Sequence, residues 1–169
     1  MGPKAHRSEE EGIWALLKAK VLITVATSIG NDRMWNMYRV AKEIHFCYGH
    51  RLLDYDGKCA HPHGHNGKVV IELESRSLDK RGMVIDFGDV KDIVKKWVDR
   101  ELDHKMILKK NDPLVKILRG MKEPYFLMDE NPTAENLAKL IYRFAKSKKL
   151  PIRSVTFWET VSSSATYSE

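Results

Sequence analysis

The chain has 169 residues, of which 43% are hydrophobic and 31% are charged. This composition lies outside the disordered class and predicts one ordinary domain with a single hydrophobic core. The formal net charge of +6 does not indicate a nucleic-acid-binding protein, because the lysines are scattered among acidic residues and the sequence has no stripe of interleaved aromatic residues and arginines. A modest positive charge does suit the binding of an anionic small molecule.

The first 36 residues differ in pattern from the rest, and we interpret them as an N-terminal extension of a domain at residues 37–169. Lysines at positions 18 and 20 interrupt the apolar stretch of this extension. The stretch is then shorter than the roughly 20 residues that cross a bilayer, and glutamates at positions 9–11 disfavour a secretory signal. We hypothesise that the native chain starts at Met34 or Met37. We expect a cytoplasmic protein that binds neither membrane nor nucleic acid and whose cysteines, Cys47 and Cys59, are free thiols.

Histidines follow the first predicted strand. Apolar residues alternate from Tyr38 to Phe46 and again over residues 68–75, as in half-buried strands. His63 and His65 project from one face of an extended segment, so both can bind one ion, and His50 completes a set of three. Three histidines leave the fourth position of a zinc ion open, as in catalytic sites. The pattern therefore predicts a catalytic zinc site in the connection between two strands, with histidines satisfied in a core or on the surface as the alternative.

Two amphipathic helices are predicted next. Asp89 is expected to cap the first, and a capping Asn131 followed by Pro132 begins the second. Asp103 and His104 fall at the end of the first helix, where a merely polar helix end is the alternative to a catalytic role. The apolar stripes, which recur at helical spacing, are Val90, Ile93, Val94, Trp97 and Val98 in the first helix and Leu137, Leu140, Ile141, Phe144 and Ala145 in the second.

The C-terminal part alternates again, with one strand over residues 152–160 and a short last strand ending at Tyr167. Glu159 follows Val155 and Phe157 on the apolar face, where a carboxylate needs a partner because burying an unpaired charge is costly. The order β-β-α-α-β-β predicts an α+β fold, with an antiparallel sheet and two helices on one face. The open edges of such a sheet make oligomerisation physically reasonable.

Five separated motifs between residues 37 and 167 resemble, in order, the signature of the 6-pyruvoyltetrahydropterin synthase and 6-carboxytetrahydropterin synthase family. The resemblance implies the tunnelling fold, in which subunits join their sheets into barrels and form active sites at shared edges. It also implies a homo-oligomer, by the family's pattern a hexamer. The motifs are Phe46–Leu52 with Gly57–Cys59 and His63–Asn66, then Gly82–Phe87, Leu102–Lys105, Pro132–Asn136 and Trp158–Thr160.

The resemblance implies that zinc is the cofactor, held by His50, His63 and His65, and that Cys59 is the catalytic base. A free thiol with a pKa of about 8.5 is mostly protonated at neutral pH, so zinc and His104 are expected to stabilise the thiolate. Cys59 then removes a proton from the carbon side chain of a bound pterin, next to an oxygen that the metal polarises.

Four more residues receive roles from the resemblance. Asp103 and His104 relay protons between the thiol, the substrate and solvent. Glu159 anchors the pterin by accepting hydrogen bonds from its amino-pyrimidinone edge. Thr133 assists in binding, or else serves only as a helix-start residue. We expect the other thiol of the chain, Cys47, to be a packing residue.

The reaction is inferred from the spacing of the cysteine motif. Family members that make 6-carboxytetrahydropterin for queuosine place three residues between the cysteine and His-Gly-His, as Ala60–Pro62 do here, whereas those that make 6-pyruvoyltetrahydropterin place five. The resemblance therefore favours conversion of 7,8-dihydroneopterin triphosphate to 6-carboxy-5,6,7,8-tetrahydropterin, with loss of acetaldehyde and triphosphate. The 6-pyruvoyl product is the alternative.

Two departures from the family pattern bear on substrate preference. The family usually has a small residue where Tyr48 stands and commonly an aromatic residue where Gly67 stands.

Outside this family, two alternative functions remain. One is a binding module with a closed structural zinc site that includes Cys59, and the other is a zinc hydrolase that does not need Cys59.

Overall fold

The computed structural model describes residues 36–169, which form a mixed six-stranded sheet with the strand order β4-β3-β1-β2-β5-β6. A long antiparallel hairpin of β1 and β2 occupies the centre of the sheet, and β5 and β6 extend it by antiparallel pairing. On the other side, β3 pairs parallel with β1, and β4 pairs parallel with β3. The strands are β1 (Tyr38–His50), β2 (His63–Ser75), β3 (Lys105–Lys109), β4 (Tyr125–Met128), β5 (Ile152–Trp158) and β6 (Ser164–Tyr167).

Three helices connect these strands. Helix α1 is continuous: it begins as α-helix at Phe87–Val90, has π-helical geometry over Lys91–Lys95, and ends as α-helix at Lys96–Glu101. Helix α2 (Leu114–Met121) lies between β3 and β4, and helix α3 (Ala134–Ser147) precedes β5. In the described part of the chain, no helix is long and apolar enough to cross a membrane.

The core lies between one face of the sheet and the apolar stripes of α1 and α3. The rings of Trp97 in α1 and Phe144 in α3 stack at 4.2 Å, so the two helices are neighbours. Burial alternates along β1 in accordance with the strand period, with Ile44, Phe46 and Tyr48 facing the helices. The buried core residues include Val69, Ile71 and Leu73 of β2, Val90, Val94 and Val98 of α1, Leu137, Ile141 and Ala145 of α3, and Val155 and Phe157 of β5.

The predicted α+β fold is confirmed, but the sheet is mixed rather than antiparallel, and helix α2 was not predicted. The parallel strands β3 and β4 were not predicted, because apolar runs of four or five residues carry no clear period. The cap of α1 is Asp86, which accepts a hydrogen bond from the Gly88 N–H at 2.8 Å, and Asp89 lies in the first turn instead. The cap of α3 is Thr133 rather than Asn131. The predicted extension at residues 1–36 lies outside the described residues apart from residue 36, so it stays a prediction.

Candidate active site

Three histidines meet where the central hairpin opens. His50 is the last residue of β1 and pairs directly with His63, the first residue of β2; His65 follows two residues later. Both strands are longer than predicted, so these histidines lie on strand ends, and not in the connecting loop. One ring nitrogen from each histidine lies within 4.8 Å of the others, and the Nε2 atoms of His50 and His63 are 3.0 Å apart. The three predicted ligands are therefore brought together.

Hydrogen bonds to main-chain carbonyls orient two of these rings. Nδ1 of His50 is 2.8 Å from the carbonyl oxygen of Pro132, and Nδ1 of His63 is 2.8 Å from that of His61. A nitrogen that faces a carbonyl oxygen must carry the ring proton, so Nε2 keeps its lone pair and faces the cluster. Such outer partners are typical of metal-binding histidines.

The electrostatics of the cluster also fit a cation. Burial lowers the pKa values of His50 and His65 below the ordinary value for histidine, which favours the neutral imidazole that binds metals. Nε2 of His65 is buried and has no hydrogen-bond partner within residues 36–169. Such an atom needs an explanation, and a shared cation provides one. The donors therefore fit a metal ion with three histidine ligands, as in zinc enzymes.

Glu159 lies beside the histidines, directly after the end of β5. Its Oε1 atom is 3.4 Å from Nε2 of His50 and 3.8 Å from Nε2 of His65. The hydroxyl of Tyr48 donates a hydrogen bond to the same oxygen over 3.4 Å. The sequence predicts that this carboxylate needs a polar partner. The structure provides several, and all of them belong to the candidate metal site.

Cys59 approaches the cluster from the loop between β1 and β2. It lies in a single 3₁₀ turn, and its carbonyl oxygen accepts a hydrogen bond from the Leu52 N–H at 2.8 Å, which ties the turn to the end of β1. As predicted, both cysteines are free. Cys59 lines a cavity of about 280 Å³ together with His50, Thr133 and Glu159. Cys59, one predicted ligand and the predicted pterin anchor therefore line one cavity.

Thr133 also borders this cavity, and its side chain has a structural role. Its hydroxyl accepts a hydrogen bond from the Asn136 N–H at 3.4 Å and so caps α3. This contact agrees with the helix-start interpretation of Thr133. The role in substrate binding stays a prediction.

Asp103 and His104 lie together but outside the cavity of Cys59. Nδ1 of His104 is 2.8 Å from Oδ2 of Asp103, and Oδ1 of Asp103 accepts a hydrogen bond from the Cys47 N–H at 2.9 Å. Burial raises the pKa of Asp103, but its bonds to Cys47 and His104 outweigh this and hold it below the ordinary value. His104 instead lines a second cavity, of about 650 Å³, with Cys47, His63 and His65. The relay expected from the sequence thus does not share a cavity with the thiol of the same chain.

The period of β1 explains this separation. His104 donates its main-chain N–H to the Cys47 carbonyl at 2.7 Å, which fixes it beside that residue. Cys47 has the opposite parity to His50 on the strand and so faces the other side of the sheet. The expectation that Cys47 is a packing residue is wrong, because Cys47 is exposed and its Sγ lies 3.1 Å from Oδ1 of Asn66.

Two contributors to the site were not predicted. Tyr48 shares the parity of His50 and packs its ring against both His50 and His65, at centroid distances of 5.2 and 5.7 Å. Asn131 exchanges two hydrogen bonds with the main chain of Leu53, at 2.9 and 2.8 Å, and so holds the neighbouring Pro132 carbonyl against His50. The position of Tyr48 beside the histidines follows from the strand period, which could have predicted it. The role of Asn131 depends on a long-range contact with Leu53, for which the local sequence gives no signal.

Comparison with known proteins identifies the family. The sequence profile described as 6-pyruvoyl tetrahydropterin synthase matches residues 39–169. The chain belongs to this family. Among its relatives, the 6-carboxy-5,6,7,8-tetrahydropterin synthase of Rickettsia conorii is 34% identical over 131 residues, covering 73% of this chain and 95% of that protein. The enzyme of the same name from Haemophilus influenzae is 34% identical over 141 residues, covering 79% of this chain and all of that protein.

Two solved structures agree with the fold. An uncharacterized protein from Wolinella succinogenes is 29% identical, with a TM-score of 0.66 over 79% of this chain and 99% of that chain. The 6-pyruvoyl tetrahydropterin synthase of Caenorhabditis elegans is 23% identical, with a TM-score of 0.60 over 79% of this chain and 96% of that chain. The second likeness concerns the fold alone. Together with the family profile, these structures agree with the tunnelling-fold assignment.

Proposed function

We propose that this protein is a zinc-dependent lyase that converts 7,8-dihydroneopterin triphosphate and water to 6-carboxy-5,6,7,8-tetrahydropterin, acetaldehyde and triphosphate. The chain is a member of a pterin synthase family, and its relatives from Rickettsia and Haemophilus carry the 6-carboxy name. We further propose that the product serves queuosine biosynthesis and that the enzyme acts in the cytoplasm, where Cys59 stays reduced. The observation that carries the proposal is the cavity in which Cys59, His50 and Glu159 meet beside the three-histidine cluster.

In this proposal, each residue at the cavity has one task. Glu159 accepts hydrogen bonds from the amino-pyrimidinone edge of the pterin and fixes the ring. Cys59, as the thiolate, removes a proton from the side-chain carbon that the ring places next to it. His50, His63 and His65 hold zinc, which when bound supplies Lewis-acid polarisation of a substrate oxygen and so acidifies the neighbouring C–H. Thr133 lies where it can border the bound substrate.

We also propose that Asp103 and His104 act on a neighbouring copy of the chain. Their position outside the cavity of Cys59 supports this arrangement, as does the 77% exposure of the His104 side chain. An open sheet whose edge strands are β4 and β6 can pair with further copies. We propose a homo-oligomer, by the family's pattern a hexamer, in which proton relay and thiol come from different subunits.

The decisive experiment incubates the purified protein with 7,8-dihydroneopterin triphosphate and identifies the products by mass spectrometry. Release of acetaldehyde in step with a 6-carboxy pterin supports the proposal, whereas a 6-pyruvoyl pterin without acetaldehyde indicates the alternative lyase. The Cys59→Ala variant separates catalysis from scaffolding. Retained zinc with lost turnover supports a catalytic thiol, and loss of zinc indicates the non-catalytic module with a closed four-ligand site.

A further inference from the structure

Tyr48 forms one wall of the histidine cluster. Its side chain is 3% exposed, and its ring lies between the cluster on one side and the core on the other. Towards the core, the ring contacts Phe46 and Phe157 at centroid distances of 5.4 and 5.7 Å. Towards the site, it lies against His50 and His65. The ring is therefore held by packing, and its hydroxyl has a fixed direction.

The Tyr48 hydroxyl reaches the carboxylate of Glu159. It donates to Oε1 over 3.4 Å, and this oxygen is the one nearest to His50 and His65. A phenol O–H can donate one hydrogen bond and a carboxylate only accepts them, so Tyr48 is the donor in this contact. A carboxylate has about four acceptor sites, so one bond from Tyr48 leaves room for further donors.

Gly67 provides the space that this ring occupies. A Cβ atom on Gly67 would lie 3.1 Å from Cε1 of Tyr48 and 3.0 Å from Cζ of Phe157. These distances are shorter than ordinary carbon–carbon contacts of about 3.5–4.0 Å. Any side chain at position 67 would push one of the two rings away. The large residue at position 48 and the absent side chain at position 67 are therefore complementary parts of one packing arrangement.

We propose that Tyr48 is a positioning residue that acts through Glu159: its hydroxyl holds Oε1 at the histidine cluster, and Gly67 leaves the space for the ring that does so. With one oxygen held, the carboxylate has a fixed plane, which is the condition for accepting paired hydrogen bonds from a flat ring edge. The consequence for substrate binding rests on the proposed function, in which Glu159 anchors a pterin. The expected effect of Tyr48 on the position of the Glu159 carboxylate does not depend on the proposed function.

The test compares Tyr48→Phe, which removes only the hydroxyl, with Tyr38→Phe, the same change at an exposed position of the same strand. We expect Tyr48→Phe to keep its zinc and to raise the KM for dihydroneopterin triphosphate about tenfold, the effect of losing a hydrogen bond to a charged group. We expect Tyr38→Phe to match the wild type. If Tyr48 acts through Glu159, then Tyr48→Phe has no further effect on KM in a Glu159→Gln background.

Crystal structures of the wild type and Tyr48→Phe provide the second measurement, which needs no substrate. We expect the Glu159 carboxylate to leave its position at the histidines in the variant. A carboxylate that stays within about 0.5 Å of its wild-type position, or a KM effect equal in both backgrounds, overturns the proposal. If the wild type neither binds nor converts the pterin, the proposed function fails, and the two crystal structures alone decide whether Tyr48 positions Glu159.

Discussion

His50 and His63 are paired across the central hairpin, and their Nε2 atoms are 3.0 Å apart. In an antiparallel ladder, directly opposite residues point to the same face, so the last residue of β1 and the first residue of β2 present their rings together. His65, two residues further on, joins them by the strand period. The regular hairpin thus builds the candidate metal site without any special loop.

Removing one histidine of the cluster is expected to abolish tight metal binding. We expect His63→Ala to lower the affinity for zinc by more than about 100-fold, because losing even an outer partner of a ligand costs about 10–100-fold. Metal content after dialysis and competition with a chelator measure this. The control is His45→Ala, which removes an exposed imidazole from the neighbouring strand β1. Stoichiometric tight zinc in His63→Ala would contradict the three-histidine site.

Subunits that lack different parts of the proposed machinery are expected to complement each other. Cys59→Ala and His104→Ala should each be inactive as pure oligomers. If each site combines the thiol of one copy with the relay of its neighbour, co-refolding equal amounts restores activity in about a quarter of the sites, by random assembly. Turnover is measured before and after co-refolding. A mixture as inactive as its components would show that thiol and relay work within one chain.

The two interpretations of Thr133 predict different kinetics. Removing the cap by Thr133→Ala is expected to lower the free energy of unfolding by about 1 kcal/mol. If the hydroxyl also binds substrate, KM rises as well. Thr133→Asn separates the two, because asparagine caps helices well but presents a different group to the cavity. Urea unfolding and steady-state kinetics on the three proteins give the answer; normal KM in both variants would leave Thr133 as a helix cap alone.

Overpacking at Gly67 is expected to be destabilising. We expect Gly67→Ala to lower the free energy of unfolding by about 1–3 kcal/mol, because the new methyl group meets Tyr48 and Phe157 in a packed core. Gly120→Ala is the matched control: it lies in helix α2, and a Cβ atom there meets nothing within 4 Å. There the change should stabilise by about 0.5–1 kcal/mol. Equal effects at both positions would rule out the complementary packing of Gly67 and Tyr48.

The ion pair between Arg51 and Asp112 is expected to stabilise the fold at neutral pH and to lose this effect in acid. Asp112 is buried and accepts hydrogen bonds from Nε of Arg51 and from the Leu114 N–H, each at 2.8 Å. Burial raises the pKa of Asp112, but these bonds outweigh it, so the folded pKa lies below the ordinary value. Such a carboxylate stabilises the fold above its unfolded pKa of about 3.9, and the contribution is lost as pH falls through the folded pKa.

We therefore expect Asp112→Asn to lower the free energy of unfolding by about 2 kcal/mol at neutral pH. Its stability should then fall less steeply than that of the wild type below about pH 4. Urea unfolding across this pH range measures both effects. Asp129→Asn is the control, since that carboxylate pairs with Lys110 while 81% exposed and should change stability little. If the free energy of unfolding fell equally with pH in the wild type and in Asp112→Asn, the proposed role of Asp112 in acid stability would be contradicted.

The local patterns of the sequence were sufficient for much of the fold. Strand and helix periods predicted the hairpin strands, the stripes of α1 and α3 and the last two strands, because each buries a single face against one core. The same periods placed His63 and His65 on one side. Strands β3 and β4 escaped prediction because their pairing is parallel and depends on connections through α1 and α2.

The sequence by itself determined the chemistry that is present: three imidazoles, a free thiol and a carboxylate on an apolar strand, with spacings that resemble one family. Only the tertiary structure decided which of them meet. Cys59 shares a cavity with His50 and Glu159, whereas Asp103 and His104 are fixed to Cys47 on the other side of β1. The physical reason is that side-chain direction follows the local period of a strand, but proximity between distant segments follows from strand pairing and helix packing, which no local pattern encodes.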